Sequence, residues 1–477
     1  MSATSLTERL EERAGPLVLK EVRQGLRAKV FGISFGLLLL ACLVVALVAA
    51  ADGSSSYNDH LGRQYLAVFL AGLSLVSFFV IPYTAYRSMA REREDETWVL
   101  LVLTGLSSRS IVRGKVASAL SQALLYGSAC APFVLFSYFL NGVDLLTVVA
   151  ALVLAATWCV FLVSVAVAMA CEASERLMRA GVHLLVVFGS LGATAMGVGF
   201  GVVLAEEGSR AVQKDVFWVV VAGVVLAGLT GALAVAEGAA STLALATSRR
   251  GYGARLVVAG QVVLGFLITV AAAVVVGDRR EVPAAGSIVS ALLLFVYGFF
   301  AASQPDGASK AQRTGRWLST PGGSRGFAVM VLLTGLSLAG YLALAVLPLG
   351  LGSTMGERAT RLLIAAPCYA LLYVAIGTWL GRVTPLARLG EPRASRIAIL
   401  GSTFLGVVAP VVTSLLFSRR EDGVLINALN PIVGMANLDR NRGNESPALG
   451  LLVVATVVAT AMAWVALKSR DGEQVRG

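Results

Sequence analysis

Few residues of this 477-residue chain have the type and spacing to do chemistry. Its two histidines, His60 and His183, have no His, Cys or carboxylate neighbour at metal-ligand spacing, so no metal site is expected. The five cysteines, Cys42, Cys130, Cys159, Cys171 and Cys368, lie in or beside apolar runs, where small buried packing roles are expected. One carboxylate, Glu237, falls inside an apolar run, and Gln261 falls in the next. A carboxylate deep in lipid must face a bundle interior or a water-filled path. Glu237 and Gln261 are therefore the candidates for a pathway through the protein. Alternatively the run stops at Ala236, and Glu237 opens an interfacial segment. A nucleotide cradle would need Gly-x-x-x-x-Gly-Lys-Ser/Thr, whose backbone amides hold the phosphates. Gly114-Lys115 lacks the upstream glycine and is followed by Val116. The chain is thus not expected to be an enzyme or to bind a cofactor itself. No Ser–His–Asp or paired-carboxylate pattern can be named, which disfavours a hydrolase.

Two charged segments stand out. The first runs from Gly15 to Lys29. Pro16 suits a helix start. Val18, Val22 and Leu26 recur at helical spacing on one face, and Lys20, Arg23 and Arg27 share another. That pattern, with Glu21 between, describes an amphipathic helix lying in the headgroup layer of a membrane. The second runs from Arg87 to Lys115, with Glu92, Glu94, Glu96 and Thr97 ahead of an apolar stretch holding Leu100, Leu101 and Thr104. The stretch is too short to cross a bilayer. An acidic first turn complements a helix dipole, so a short helix over 91–107 is expected. Such a helix can dock into a groove of a partner protein.

The elements that must position these residues follow from composition. The chain is 57% hydrophobic and only 14% charged, with a mean hydropathy of +0.79. A soluble domain is about a quarter charged. So a soluble globular protein is excluded, and disorder needs the opposite composition. Twelve runs are long enough to be membrane spans: 30–51, 65–86, 116–140, 145–171, 181–204, 216–236, 256–277, 286–302, 326–350, 362–381, 397–418 and 447–467. The eighth is short, and the sixth can continue to Thr247. The fold class expected is all-α: a polytopic membrane protein of about twelve transmembrane helices. Its organisation reads as a leading segment 1–29, a first six-span half 30–250 and a second six-span half 251–477.

With both termini placed in the cytoplasm, the cytoplasmic segments hold 28 of the 39 Lys and Arg, and the opposite loops hold 11. The positive-inside rule supports that orientation. The net charge of +11 then reads as topology, and nucleic acid is not an expected partner. Outward loops are short. Pro82, Pro132, Pro367 and Pro410 lie in or near span ends, where they can kink helices.

At this point the chain resembles the permease subunits of ABC transporters of the second exporter type, which include polysaccharide, drug and lipid exporters. The resemblance rests on Pro16, Lys20, Glu21, Arg23 and Arg27 in the leading helix. It rests also on Glu94, Thr97, Leu100, Leu101, Thr104, Leu106, Ser107, Ile111, Gly114 and Lys115 after span two. In that family the second segment is the coupling helix, which inserts into the ATP-binding subunit. This chain departs from the family pattern at Glu96 and Gly105. Leu429-Asn430-Pro431-Ile432 is similar to the family's Asn-Pro motif before the last span, implying a re-entrant segment over 423–440. The resemblance implies a bacterial cytoplasmic membrane, a separate ABC ATP-binding subunit acting as a dimer and holding ATP and Mg, contact with lipid, and room for a second permease copy. Most family members have six spans. The loop of the second half, from Gln304-Pro305-Asp306 onward, has no acidic start, so the second half is either a diverged copy or an elaboration. Two other functions are compatible with twelve spans: an ion- or proton-coupled carrier, and a scaffold derived from a permease.

Overall fold

The computed structural model describes residues 19–53, 61–95, 107–140, 143–172, 176–244, 252–276, 281–301, 322–346, 356–385, 391–417, 427–439 and 445–476. Every regular element among them is helical. The chain divides into two compact units, Met1–Leu245 and Ala246–Gly477.

In the first unit, α1 covers residues 19–26. It is followed by α2 (Lys29–Gly53), α3 (Leu61–Glu94), α4 (Ser108–Phe139), α5 (Leu145–Glu172), α6 (Arg176–Ala211) and α7 (Asp215–Leu243). The second unit holds α8 (Tyr252–Val276), α9 (Val282–Ala301), α10 (Gly323–Val346), α11 (Glu357–Val383), α12 (Glu391–Phe417), the short α13 (Val433–Asp439) and α14 (Glu445–Arg476). Among the described residues, 11 helices are long and apolar enough to cross a membrane. In α12 the apolar stretch is shorter, Ala394–Pro410. The protein is a multi-pass, all-α membrane protein. Large apolar side chains such as Ile33, Leu37 and Leu40 of α2 lie exposed, as a lipid-facing surface requires.

Several helices outrun their hydropathic runs. One such helix is α3, which continues past Tyr86 to Glu94. Ala, Met, Arg and Glu are good helix formers, so the backbone ladder persists after the apolar run has ended. A π-helical turn at Val76–Val80 sits directly before Pro82. Proline has no amide to donate, and a local change of helical pitch accommodates it. Span six stops at Leu243, short of Thr247.

The two units use one packing scheme. In the first, α2 packs on α3 and α4; α3 on α4, α5 and α6; α4 on α5 and α7; and α5 on α6 and α7. In the second, α8 packs on α9 and α10; α9 on α10, α11 and α12; α10 on α11 and α14; and α11 on α12 and α14. Matching α2–α7 to α8–α12 and α14 in order makes these sets identical. The core of the first unit is built from Leu66, Phe69, Leu73 and Met89 of α3, Tyr126 and Val134 of α4, and Val163 and Val167 of α5. In the second unit α11 is the central helix, and it buries Leu363, Ala366, Tyr369 and Val374.

One difference separates them. The fifth helix leans mainly on the second helix in the first unit, and on the fourth in the second. Glycine spacing explains it. Gly197 and Gly201 of α6 receive Phe78, Ser74 and Leu70 of α3. In the second unit the pair is on α11: Gly377 and Gly381 lie against the backbone of α12 at Ile399 and Ser395. Small residues four apart let two helix backbones approach closely in lipid. A Cβ at Gly381 would stand 2.5 Å from Ser395 Cα, and backbone cannot step aside. Gly381→Leu should therefore destabilise the protein by about 1–3 kcal/mol or more, as overpacking does. Gly36→Leu, where a Cβ meets nothing within 4 Å, should leave the melting temperature in detergent unchanged.

Candidate functional site

The expected site residues fall into two clusters, one in each unit. The first forms where α1, the end of α3 and the start of α4 meet. Lys115, in the second turn of α4, is buried. Its Nζ donates to Glu21 Oε2 of α1 at 2.8 Å, to Ser88 Oγ at 3.0 Å and to Glu92 Oε1 at 2.5 Å, the last two on α3. An ammonium has three hydrogens to donate, so these partners fit its full capacity. Ser118, one turn along α4, donates to the backbone carbonyl of Glu21 at 2.8 Å. Gly25 lies against Ser118 Oγ and the end of the Gln122 side chain, which would have to shift to admit a Cβ. So α1 is not merely adsorbed at the surface: its acidic face is stapled to α4. Lys20, Arg23 and Arg27 point away and are exposed.

Around this staple stand further ion pairs. Glu94 approaches Arg179 of α6 at 3.9 Å. Glu237, six residues before the end of α7, accepts from Arg109 Nε at 2.8 Å and lies 3.6 Å from Arg113 Nη2. Both arginines are in the first turns of α4, which Ser107 caps by accepting from the Ser110 amide at 3.2 Å. Helices α1, α3, α4, α6 and α7 thus bring their charged ends to one end of the unit. Glu92 and Glu94 occupy the last turn of α3 rather than the start of a separate helix. Carboxylates there oppose the helix dipole. Lys115 and Arg179 supply the compensating charge from other helices, with Arg91 and Arg93 in the same turn. Glu96, Thr97, Leu100, Leu101 and Thr104 lie outside the described residues. Of that segment's flanks, Asp95 donates its amide to the Arg91 carbonyl at the end of α3, and Ser107 caps α4.

His183 of α6 packs its ring on Tyr83 and Tyr86 of α3, each with centroids 5.7 Å away. The cysteines are free thiols, four of them buried. Among the described residues no group of three or more His, Cys, Asp or Glu could hold a metal. Gln261 is buried in α8.

The second cluster lies in the second unit. After α12 ends at Phe417, residues 427–434 return to the level of Val407, ten residues back along that helix. At 1.5 Å per residue this is a re-entry of about 15 Å. Asn430 organises it. Its Nδ2 donates to the Val407 carbonyl at 2.9 Å, and its Oδ1 accepts from the amides of Ile432 and Val433 at 2.9 and 3.0 Å. Those amides open α13, with Pro431 next to the cap. On α11, Tyr369 donates to the Ala428 carbonyl at 2.5 Å, and Tyr373 donates to the Leu429 carbonyl. The tyrosines follow Glu357 by twelve and sixteen residues, about 18 and 24 Å along α11. Gly406 and Gly434 leave the space that the two tyrosine hydroxyls occupy. Irregular backbone at such depth survives only where protein satisfies its polar groups. At the start of α11, Arg361 lies 3.4 Å from Glu445 of α14. Asn430 and Pro431 were visible as a motif. Tyr369, Tyr373, Gly406 and Arg361 were not, since nothing in linear sequence ties them to a loop more than twenty residues away.

The fold and these clusters define a class: a multi-pass helical membrane protein with a charged, ion-paired end and a re-entrant segment. No protein-family model matches the chain, and no curated protein or solved structure matches it.

Two outcomes test the clusters. Lys115→Ala leaves buried Glu21 and partly buried Glu92 without their cation and should cost about 3–5 kcal/mol. Arg109→Ala, at a half-exposed site, should cost no more than about 1 kcal/mol. Thermal unfolding in detergent ranks the pair. Tyr369→Phe should cost about 1 kcal/mol, and hydrogen exchange should then rise selectively over residues 427–434.

Proposed function

We propose that the chain is the membrane-spanning permease subunit of an ATP-driven ABC exporter of the second exporter type, in a bacterial cytoplasmic membrane with both termini cytoplasmic. The observation that carries this reading is the clamp on the flanks of segment 96–106. On one side the segment continues from α3 through Asp95, and on the other it enters α4 through Ser107. Lys115 ties both helices to α1. A partner pressing on this segment moves α1, α3 and α4 as one body.

The energy comes from ATP held with Mg in the partner. In this chain Glu92, Glu94 and the residues up to Thr104 form the contact. The displacement passes into α3, whose 34 residues run unbroken to the far side of the unit. The π-helical turn beside Pro82 is the place where α3 can change its tilt. Helices α5 and α6, packed on α3, follow, and alternating access results.

A proton-coupled carrier needs a carboxylate that exchanges protons near mid-depth. Glu237 instead stands near a helix end between two arginines, which favours the exporter reading. Replacing Glu94, Thr97 and Leu101 together by Ala should abolish copurification of the ATP-hydrolysing chain and leave the melting temperature unchanged. Undiminished copurification overturns the assignment.

A further inference from the structure

Helices α8, α9 and α10 bring their ends together at one corner of the second unit. A glycine-rich run, Gly322-Gly323-Ser324-Arg325-Gly326, leads into α10 there. Gly322 has φ 138°, in the half of backbone space that glycine alone enters readily. Gly326 sits so close to the Ala301 carbonyl of α9 that a Cβ would lie 2.5 Å from it. The start of α10 is therefore pressed against the end of α9. The first amides of a helix have no carbonyl one turn back, and they form the positive end of its dipole. A glycine-rich entry into such an end is where backbone amides can hold phosphate oxygens.

Side chains from all three helices meet at this corner. Arg255, in the first turn of α8, is buried, and its Nη2 donates to the Gly322 carbonyl at 3.1 Å. Arg325 lies close enough to act on Arg255 as a like charge. Tyr297 of α9 also lies beside Arg255. It stands one turn before Ala301, on the same face of that helix. Tyr297 is only 6% exposed, yet its hydroxyl has no hydrogen-bond partner among the described residues. A buried hydroxyl without a partner is costly, and two neighbouring guanidiniums repel. One anion at the corner removes both costs, because it accepts from Tyr297 and neutralises the arginines. Phosphate suits the forked donors of guanidinium better than a simple halide does. Arg255, Tyr297 and Arg325 each lie within one turn of the end of a spanning helix, about 6 Å along its axis. That is the level at which lipid headgroups meet the hydrocarbon core.

We infer that this corner binds a phosphate group, held by Arg255, Arg325, the Tyr297 hydroxyl and the first amides of α10. The group enters past Arg325, which is only partly buried. The phosphate of a membrane lipid lies at the matching depth, and inorganic phosphate offers the same chemistry. The site involves no ATP-binding partner and is independent of the permease reading.

The test uses the full chain, delipidated in detergent. It reads the melting temperature and, by native mass spectrometry, the lipid retained. Phosphatidylglycerol, diacylglycerol (which lacks the phosphate) and inorganic phosphate are added separately. Phosphatidylglycerol should raise the melting temperature and remain bound, and diacylglycerol should do neither. Tyr297→Phe should not lower the melting temperature of the probe-free protein, because its hydroxyl has no bond to lose. It should raise the phosphatidylglycerol concentration needed for the shift about tenfold, as loss of one hydrogen bond to a charged group does. Arg325→Gln should weaken the response in the same direction. An equal response to inorganic phosphate, weakened by the same variants, supports the site with the free anion as its occupant. Equal responses to phosphatidylglycerol and diacylglycerol, a response that Tyr297→Phe leaves intact, or a wild type that answers no probe overturns the inference. A probe-free Tyr297→Phe protein that melts earlier or fails to fold also overturns it, since the hydroxyl then has a structural partner.

Discussion

Lipid offers a helix no hydrophobic reward for leaving it, and no water to satisfy a stray polar group. Everything that holds this molecule together obeys that constraint. Backbone hydrogen bonds are kept inside helices. Helices associate where small residues permit close approach, as Gly197 and Gly201 permit on α6, and Gly377 and Gly381 on α11. Hydroxyls return their hydrogens to carbonyls one turn back, as Ser164 and Thr378 do. Where a charge enters the interior it arrives with its partners, as Lys115 does with Glu21 and Glu92.

The same constraint explains why two units with one packing scheme diverge. Moving a pair of glycines from the fifth helix to the fourth moves the fifth helix from one neighbour to another. In the second unit α12 sits tightly on α11, and Gly406 opens space for Tyr373. The re-entrant segment occupies that region, and its carbonyls are met by Tyr369 and Tyr373. The first unit has only a tight connection between its fifth and sixth helices, closed by Val212 bonding Gly208 and Lys214 bonding Ala211. Packing at a few glycines thus accompanies a structural difference: an ion-paired end in one unit and, in the other, a segment that folds back along its fifth helix.

The ion-paired end shows how charge is made mechanical. Exposed pairs such as Arg113–Glu237 contribute little alone. A buried lysine with three partners on two separate elements leaves α1, α3 and α4 little freedom to move apart.

By itself the sequence determined the membrane, the apolar helices, eleven of them long enough to span among the described residues where twelve were expected, and the segments where charge gathers. These properties are written in local composition: an apolar run must be a helix in lipid whatever lies beside it. It also marked Glu21, Glu92, Glu237 and Asn430 as unusual, because polar residues beside or within apolar runs are costly. Their partners were hidden. Lys115 read as the tail of a motif, yet it is the centre of the cluster, and Glu21 lies 94 residues away from it. Glu237 had two readings until Arg109, 128 residues distant, met it. The helix over 91–107 was expected to begin with acids, and those acids instead end α3, because the helical ladder continues wherever good formers allow it. Whether the second half repeats the first was open in sequence, since the side chains diverged. Only the tertiary structure shows that the same pairs of helices touch in both units, because packing preserves which helices touch, while the residues that make the contact can change places.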